Sequence, residues 1–271
     1  MLAARNRGDR RVADEPLLVA RHGAVLALSL NRPDQRNAID AAMYRALDAA
    51  LDLAEADAAV QVVTLDAAGR HFSAGVDLQK LQALLAAPAE SMANAELAVS
   101  VVHRLATFAK PTLAAVQGAA HGGGVGLVLA CDIAIAASDA RFGLGEVRLG
   151  LFPGLVAPLL ASASGRRAAG RYLLTGDPFD AHQALALGVV HEVVAPDALA
   201  ATAAAVAQRL TAAGPDAVAA TKRLLWDNRF TVSHDWDTAW IAAEVVRHRA
   251  SAQAAEGVRA FLEKRVPDWT A

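Results

Sequence analysis

The segment HGGGVG, from His121 to Gly126, places four glycines inside a long apolar stretch, AVQGAAHGGGVGLVLACDIAIA. An interior glycine costs a helix roughly 1 kcal/mol relative to alanine, so a helix that only fills a core gains nothing from this composition. The pattern instead predicts a strand, a turn and a helix whose first residues have bare backbone. The N–H groups at such a helix start are free and lie at the positive end of the helix dipole.

Three interpretations of Gly122, Gly123 and Gly124 follow from the residues alone. The first is a tight strand-to-helix turn that only glycine fits. The second is a phosphate loop, but the GxGxxG spacing and the GK[ST] motif are both absent. The third is an oxyanion hole, in which backbone N–H groups hold a negative carbonyl oxygen. Such a hole needs a second donor, and the glycine loop FSAGVDL, after another predicted strand, is a candidate for it.

Hydrophobic periodicity predicts an α/β fold with largely parallel strands. Strands are predicted over 24–30, 60–67, 111–118 and 132–137; helices are predicted from the N-cap Asp40 to about Ala56, over 90–107, and within GGVGLVLACD. After about residue 195 the pattern is helical only, at 198–213, 216–228, 235–249 and 251–264. The predicted domains are a flexible tail over 1–16, an α/β core over 17–195 and a helical C-terminal subdomain over 196–271.

Composition and charge argue against several classes of protein. Of the 271 residues, 55% are hydrophobic, which is enough to form a complete hydrophobic core. The formal net charge is -2, and no basic face suggests binding of nucleic acid. No clean run of about 20 apolar residues predicts a membrane span. The N-terminus lacks the apolar region of a secretory signal, and we expect a cytoplasmic protein.

The single cysteine and the histidine spacings bear on redox and metal chemistry. Cys131 lies in an apolar run, which predicts a buried structural thiol and excludes an intramolecular disulfide. Neither HExxH nor a similar spacing occurs, so we expect no metal site. Asp132 is expected to satisfy buried backbone groups.

Taken in order, five segments resemble the crotonase (enoyl-CoA hydratase/isomerase) superfamily over about residues 18–265. They are LNRP…NA, HFSAGVDL, KPTLAAVQGAAHGGG, ACDIAIAASDARFGLGEVRLGLFPG and LLTGDPFDAHQALALGVVHEVV. The resemblance implies a crotonase-like α/β core of ββα repeats and a helical C-terminal trimerisation subdomain, in a homotrimer or a hexamer. It also implies an acyl-CoA thioester substrate and no separate cofactor, since coenzyme A enters with the substrate.

The resemblance assigns expected roles to individual residues. The backbone N–H groups of Val76 and Gly123 would hold the thioester oxygen as it becomes an enolate. Glu146, in FGLGEVRLG, would be the catalytic carboxylate, and burial would raise its pKa. The alternative for Glu146 is an ion pair with Arg148. Coenzyme A would run along the residues Gln35, Arg36, Ala38, Ala74, Asp77 and Leu78.

Gly126 departs from the pattern of this family. Two-glutamate hydratases carry a second Glu at that position, two residues after the glycine triplet, so this sequence offers no second carboxylate there for water addition. One carboxylate is enough to move a proton between carbons 2 and 4 of an enoyl-CoA, or to add water alone by drawing hydroxyl and proton from one water. The segments GGGVGLVLACDIAIA and GEVRLGLFPG also resemble the methylglutaconyl-CoA hydratase-like branch, in which a small residue is usual here.

Three functional hypotheses result. The first is an enoyl-CoA hydratase, the second a Δ3-Δ2 enoyl-CoA isomerase, and the third a catalytically silent acyl-CoA-binding protein. His121 would line the acyl pocket together with Gly126, or else be a packed, hydrogen-bonded side chain. Lys222 and Lys264 would reach phosphates of coenzyme A or, as the more ordinary interpretation, be solvated.

Overall fold

The computed structural model describes residues 15–225 and 238–265. In these ranges the strands are β1 (Leu17–His22), β2 (Val25–Leu30), β3 (Val62–Ala67), β4 (Thr112–Val116), β5 (Ala119–His121), β6 (Ile133–Ala137), β7 (Arg141–Gly143), β8 (Phe179–Asp180) and β9 (Glu192–Val194). The helices are α1 (Ala41–Ala56), α2 (Leu78–Leu85), α3 (Pro88–Thr107), α4 (Gly123–Ala130), α5 (Ala157–Thr175), α6 (Ala181–Ala186), α7 (Leu199–Thr211), α8 (Pro215–Leu225), α9 (Thr238–Arg249) and α10 (Ala252–Leu262). The tail predicted over 1–16 lies outside the described residues, apart from Glu15 and Pro16.

Two sheets organise the α/β part of the chain. Six strands form one sheet in the order β1-β2-β3-β4-β6-β9. Strand β1 runs antiparallel to β2, and every later neighbour in this sheet runs parallel. Strands β5, β7 and β8 form a second sheet, in which β5 and β7 are parallel. The predicted α/β class with largely parallel strands is therefore confirmed.

The alternation in β2 explains how the main core is closed. Leu26, Leu28 and Leu30 are buried on one face of the sheet, where they pack with α1 and α3. Helix α1 begins where the sequence predicts, because the Asp40 carboxylate accepts a hydrogen bond from the Met43 N–H at 2.9 Å. Helix α7 packs on the opposite face of the same sheet through apolar side chains.

Several elements were not predicted. Strand β1 has a single buried residue, so it shows no alternation to detect. Strands β5 and β7 have three residues each and β8 has two, too short for a periodic signal. Helices α2, α5 and α6 also went unpredicted.

Helices α9 and α10 cover one side of the α/β part. Ala242 and Val245 of α9 pack against Ala95 and Val99 of α3. Ala254 and Val258 of α10 join Leu81 of α2 and Leu151 in a separate cluster. Parts of the predicted helices 216–228 and 235–249 lie outside the described residues, and the domain boundary at 195/196 stays a prediction. No helix among the described residues combines the length and apolar character needed to cross a membrane.

Lys222 corrects one sequence-based expectation. Its side chain is buried, with Nζ 2.5 Å from Oδ2 of Asp132 and 2.9 Å from the Lys110 carbonyl oxygen. The expectation of a solvated or phosphate-binding lysine was wrong, because the residue neutralises a carboxylate inside the protein. Asp132 also accepts from the Thr112 N–H and hydroxyl, which confirms its predicted role. Cys131 is buried as predicted, and burial raises the pKa of its thiol to about 12.

Candidate active site

A cavity of about 410 Å³ lies where three parallel chain segments end. Ser73 pairs with Ala120 in a parallel bridge, and Ala120 in turn pairs with Phe142 between β5 and β7. Because the three segments run in the same direction, their following loops emerge at one edge, as the loops of parallel strands do. The walls are completed by α3, α9 and α10. This arrangement brings together FSAGVDL, HGGG and FGLGEVRLG, which are far apart in the sequence.

Two backbone N–H groups, those of Val76 and Gly123, belong to cavity-lining residues. Among the described residues, neither N–H has a hydrogen-bond acceptor. Each follows a glycine in the left-handed region, Gly75 with φ +83° and Gly122 with φ +49°. A Cβ on Gly75 would lie 2.6 Å from the His121 carbonyl oxygen, so only glycine lets the two loops approach this closely.

Ser73 and Asn37 hold the first of these loops. The Ser73 hydroxyl donates to the Asn37 carbonyl at 2.8 Å and accepts from the Gly75 N–H at 3.1 Å. The buried Asn37 amide donates to the carbonyls of Ala68 and His71. A Cβ on Gly124 would lie 2.7 Å from the Ser73 Cβ, so glycine at this position allows α4 to pack closely against Ser73.

Glu146 begins the 3-10 turn Glu146–Leu149 and lines the cavity. Its Oε1 would lie 3.2 Å from a Cβ on Gly122, which places the carboxylate beside the glycine turn. Its Oε2 is buried and has no hydrogen-bond partner in the described part of the chain. Burial raises the pKa of Glu146 to about 7.

Arg148 does not pair with Glu146. Its guanidinium donates to Asp177 Oδ1 at 2.6 Å and to the Thr175 carbonyl at 2.8 Å. The alternative interpretation of Glu146 as one half of a structural ion pair is therefore wrong. The carboxylate is left as a desolvated, unpaired acid at the edge of the cavity.

His121 also lines the cavity. A Cβ on Gly143 would lie 3.5 Å from the imidazole, an ordinary van der Waals distance, so the ring lies beside Gly143. Partial desolvation and the neighbouring His71 lower the pKa of His121, which favours its neutral form. That the His121 side chain lines the acyl pocket stays a prediction.

Gly126 is buried in α4, behind the cavity wall. A Cβ on Gly126 would lie 3.4 Å from Val156 Cγ2 and 3.8 Å from Leu155 Cδ2. Leu155 and Val156 line the cavity, whereas Gly126 itself does not. Apolar side chains therefore occupy the side of the site where a second carboxylate was considered.

The residues predicted to hold coenzyme A fall into two joined segments. The Ala74 N–H donates to the Arg36 carbonyl at 2.8 Å, which links the turn 35–38 to the loop 74–78. Gln35 and Arg36 are exposed and Ala38 is half-buried. Ala74 and Leu78 line the cavity. Asp77 is the N-cap of α2 and accepts from the N–H groups of Gln79 and Lys80.

A family model described as enoyl-CoA hydratase/isomerase matches residues 20–271. The chain belongs to the enoyl-CoA hydratase/isomerase family. It is 34% identical to the 2,3-dehydroadipyl-CoA hydratase of Escherichia coli, over 93% of this chain and 98% of that protein. It is 31% identical to the trans-2-decenoyl-[acyl-carrier-protein] isomerase of Streptococcus mutans, over 91% and 94% of the two chains.

The solved structure of an enoyl-CoA hydratase from Mycobacterium avium superposes with a TM-score of 0.83. That protein is 34% identical, with 94% of this chain and 99% of that chain covered. The crotonase fold predicted from the motifs is confirmed, and this protein is an enzyme of the enoyl-CoA hydratase/isomerase family. Among the described residues of this family member, no group of three or more His, Cys, Asp or Glu side chains is placed to hold a metal ion.

Sequence reasoning missed three polar residues that line the cavity, namely Tyr44, Asn94 and Arg249. They come from α1, α3 and α9, and in the sequence each looks like an ordinary residue of a helix. No motif surrounds any of them, so only the packing of α9 on α3 reveals the group.

Proposed function

We propose that this protein is an enoyl-CoA hydratase that adds water reversibly to a 2-enoyl-CoA. The proposal is carried by one arrangement: two acceptor-free N–H groups and an unpaired, desolvated carboxylate oxygen beside the same cavity. The relatives named as hydratases support it.

The N–H groups of Val76 and Gly123 would receive the thioester oxygen. Two donors on one carbonyl oxygen withdraw electrons from the conjugated double bond and make carbon 3 electrophilic. They bind the enolate oxygen more strongly than the neutral carbonyl, because negative charge develops there during the reaction. Losing one such donor costs roughly 3–4 kcal/mol of activation free energy in comparable sites.

Glu146 would supply the proton transfers. With a pKa near 7, its carboxylate is partly ionised at neutral pH and accepts a proton from water as the water oxygen bonds to carbon 3. The enolate then takes a proton from the Glu146 carboxylic acid at carbon 2. The carbonyl reforms, Glu146 is again a carboxylate, and the product is a 3-hydroxyacyl-CoA. One water has supplied both the hydroxyl group and the added proton.

Isomerisation of a 3-enoyl-CoA to a 2-enoyl-CoA is the second candidate. It is favoured by Gly126, since the apolar Leu155 and Val156 leave no second carboxylate on that side. In that reaction Glu146 would take a proton from carbon 2 and return it to carbon 4, with no water consumed. A relative is named as an isomerase.

The remaining assignments belong to the same proposal. Coenzyme A would lie along the joined segments 35–38 and 74–78, with its acyl end at the glycine loops. Ala74 and Leu78 support this path, because they flank Val76 in the sequence and line the same cavity. We further propose that the protein is cytoplasmic and forms a homotrimer or a hexamer. Sedimentation of the purified protein tests the oligomeric state directly.

The experiment is an incubation in heavy-oxygen water with a 2-enoyl-CoA and a 3-enoyl-CoA, read by mass spectrometry. Labelled 3-hydroxyacyl-CoA from the 2-enoyl substrate is the expected result. A shift of the double bond in the 3-enoyl substrate, with no oxygen label incorporated, would contradict the hydratase proposal and support the isomerase. Binding of both esters with neither reaction would support the silent acyl-CoA-binding protein instead.

A further inference from the structure

Arg249 places a positive charge in the wall of the cavity. It is the last residue of α9 and lines the cavity together with apolar side chains of α3, including Ala95, Ala98 and Val99. Burial lowers the pKa of its guanidinium, so the charge is poorly hydrated. A half-buried arginine in a largely apolar wall is stabilised by an anion or by several hydrogen bonds.

The hydrogen bonds of Arg249 within the described chain are few and long. Its Nη1 lies 3.4 Å from the Ser91 carbonyl and 3.4 Å from Asn94 Oδ1. No acceptor in the described ranges faces Nε or Nη2, and no carboxylate there forms an ion pair with Arg249. Arg148, the other arginine of the cavity wall, is neutralised by Asp177. The unmet charge in this wall is therefore that of Arg249.

Tyr44 lies between Arg249 and the glycine loops. Its hydroxyl would be 3.3 Å from a Cβ on Gly123. Burial raises the pKa of Tyr44 to about 12, and the positive charge of Arg249 partly offsets that rise. Tyr44, Arg249 and the oxyanion-hole residue Gly123 all line the same cavity.

We propose that the natural substrate carries a carboxylate at the far end of its acyl chain, and that Arg249 binds it with help from Tyr44 and Asn94. The inference rests on the proposed function only in placing the thioester at Val76 and Gly123. The planar guanidinium presents two parallel donors that match a carboxylate. A neutral methyl terminus would leave the charge unpaired and desolvated.

Binding of unreactive esters tests the inference without any catalysis. The dissociation constants of adipyl-CoA and hexanoyl-CoA, which differ only in the terminal carboxylate, are measured on the wild-type protein by calorimetry. We expect adipyl-CoA to bind at least about tenfold more tightly, the effect of one hydrogen-bonded charge pair. Equal or weaker binding of adipyl-CoA would overturn the inference, even if the protein hydrates enoyl-CoA esters.

Variants of Arg249 test whether this residue causes the preference for adipyl-CoA. Arg249→Met should remove the advantage of adipyl-CoA while leaving hexanoyl-CoA binding within about twofold, and Arg249→Lys should keep part of it because it keeps the charge. Arg166→Met, an exposed position on α5, is the matched control and should change neither constant. A loss of affinity for both esters in Arg249→Met and Arg249→Lys would show a structural clamp between α9 and α3 and would contradict the inference. Failure of hydration with a retained adipyl-CoA preference would instead reject the proposed function alone.

Discussion

The backbones of Gly75 and Gly122 lie in direct contact. A Cβ on Gly75 would be 3.6 Å from the Gly122 Cα, and a Cβ on Gly122 would be 4.0 Å from the Gly75 Cα. Each glycine immediately precedes a proposed oxyanion-hole donor, Val76 or Gly123. The contact therefore sets the separation of the two N–H groups, and it requires glycine at position 75, where a Cβ would lie 2.6 Å from the His121 carbonyl oxygen.

Replacing Gly75 by alanine should lower the activity strongly. The new Cβ would meet the His121 carbonyl oxygen at 2.6 Å, and φ +83° disfavours any L side chain, so the two loops must separate. We expect kcat to fall by about 100-fold or more, as when one oxyanion donor is lost. Gly23→Ala is the matched control, because Gly23 has φ +62° but open space around it. Gly23→Ala should cost about 1–2 kcal/mol of stability and leave kcat unchanged. Full activity in Gly75→Ala would contradict the account.

Two glycines of α4 should respond differently to alanine. Gly124→Ala would push a Cβ to 2.7 Å from the Ser73 Cβ, whereas the nearest atom to a Cβ on Gly126 is Val156 Cγ2 at 3.4 Å. We expect Gly124→Ala to destabilise the protein by about 1–3 kcal/mol and Gly126→Ala to unfold close to the wild-type temperature. Thermal unfolding of the pair provides the measurement. Equal unfolding temperatures for the two variants would mean that the close contact with Ser73 is absent.

The pH dependence of hydration should report Glu146. Burial raises the pKa of this carboxyl group to about 7, and only the ionised form accepts a proton from water. Log kcat/KM should therefore be flat above about pH 7 and fall about tenfold per pH unit below it. An acid limb near pH 4.5, the range of a solvated glutamate, would show that Glu146 is hydrated or is not the base.

Lys222 should matter for folding and not for coenzyme A. Lys222→Met leaves the half-buried Asp132 carboxylate without its cation, and we expect a loss of about 1–3 kcal/mol of stability, less than the cost of breaking a fully buried pair. The KM for acyl-CoA should stay at the wild-type value in the folded fraction. Lys264→Met, at an exposed position, should alter neither quantity. A raised KM at unchanged stability in Lys222→Met would restore the phosphate-binding interpretation.

The long elements and the glycine loops were accessible from the sequence because their signals are local. The Asp40 N-cap predicts α1, and the glycines predict a helix start with bare backbone, which is where α4 begins. The resemblance to the crotonase superfamily led to Val76, Gly123 and Glu146, and these residues do line one cavity.

Other features depend on tertiary contacts that no local pattern encodes. Lys222 reads as a surface lysine, and only its contact with Asp132, 90 residues away, shows that it is buried. Arg249 reads as one more charged residue at the end of a helix, and the packing of α9 on α3 brings it to the cavity. Arg148 was considered as a partner for Glu146 because the two are close in the sequence, but the Arg148 guanidinium forms its ion pair with Asp177.

The measurement that tests the central claim most directly is the rate of heavy-oxygen incorporation by wild type and Glu146→Gln. The substitution keeps the shape of the side chain and removes its ability to accept a proton. The account predicts labelled 3-hydroxyacyl-CoA from wild type and a rate about 100- to 10,000-fold lower from the variant, with acyl-CoA binding retained. A Glu146→Gln variant that incorporates label at a rate close to that of wild type would contradict it.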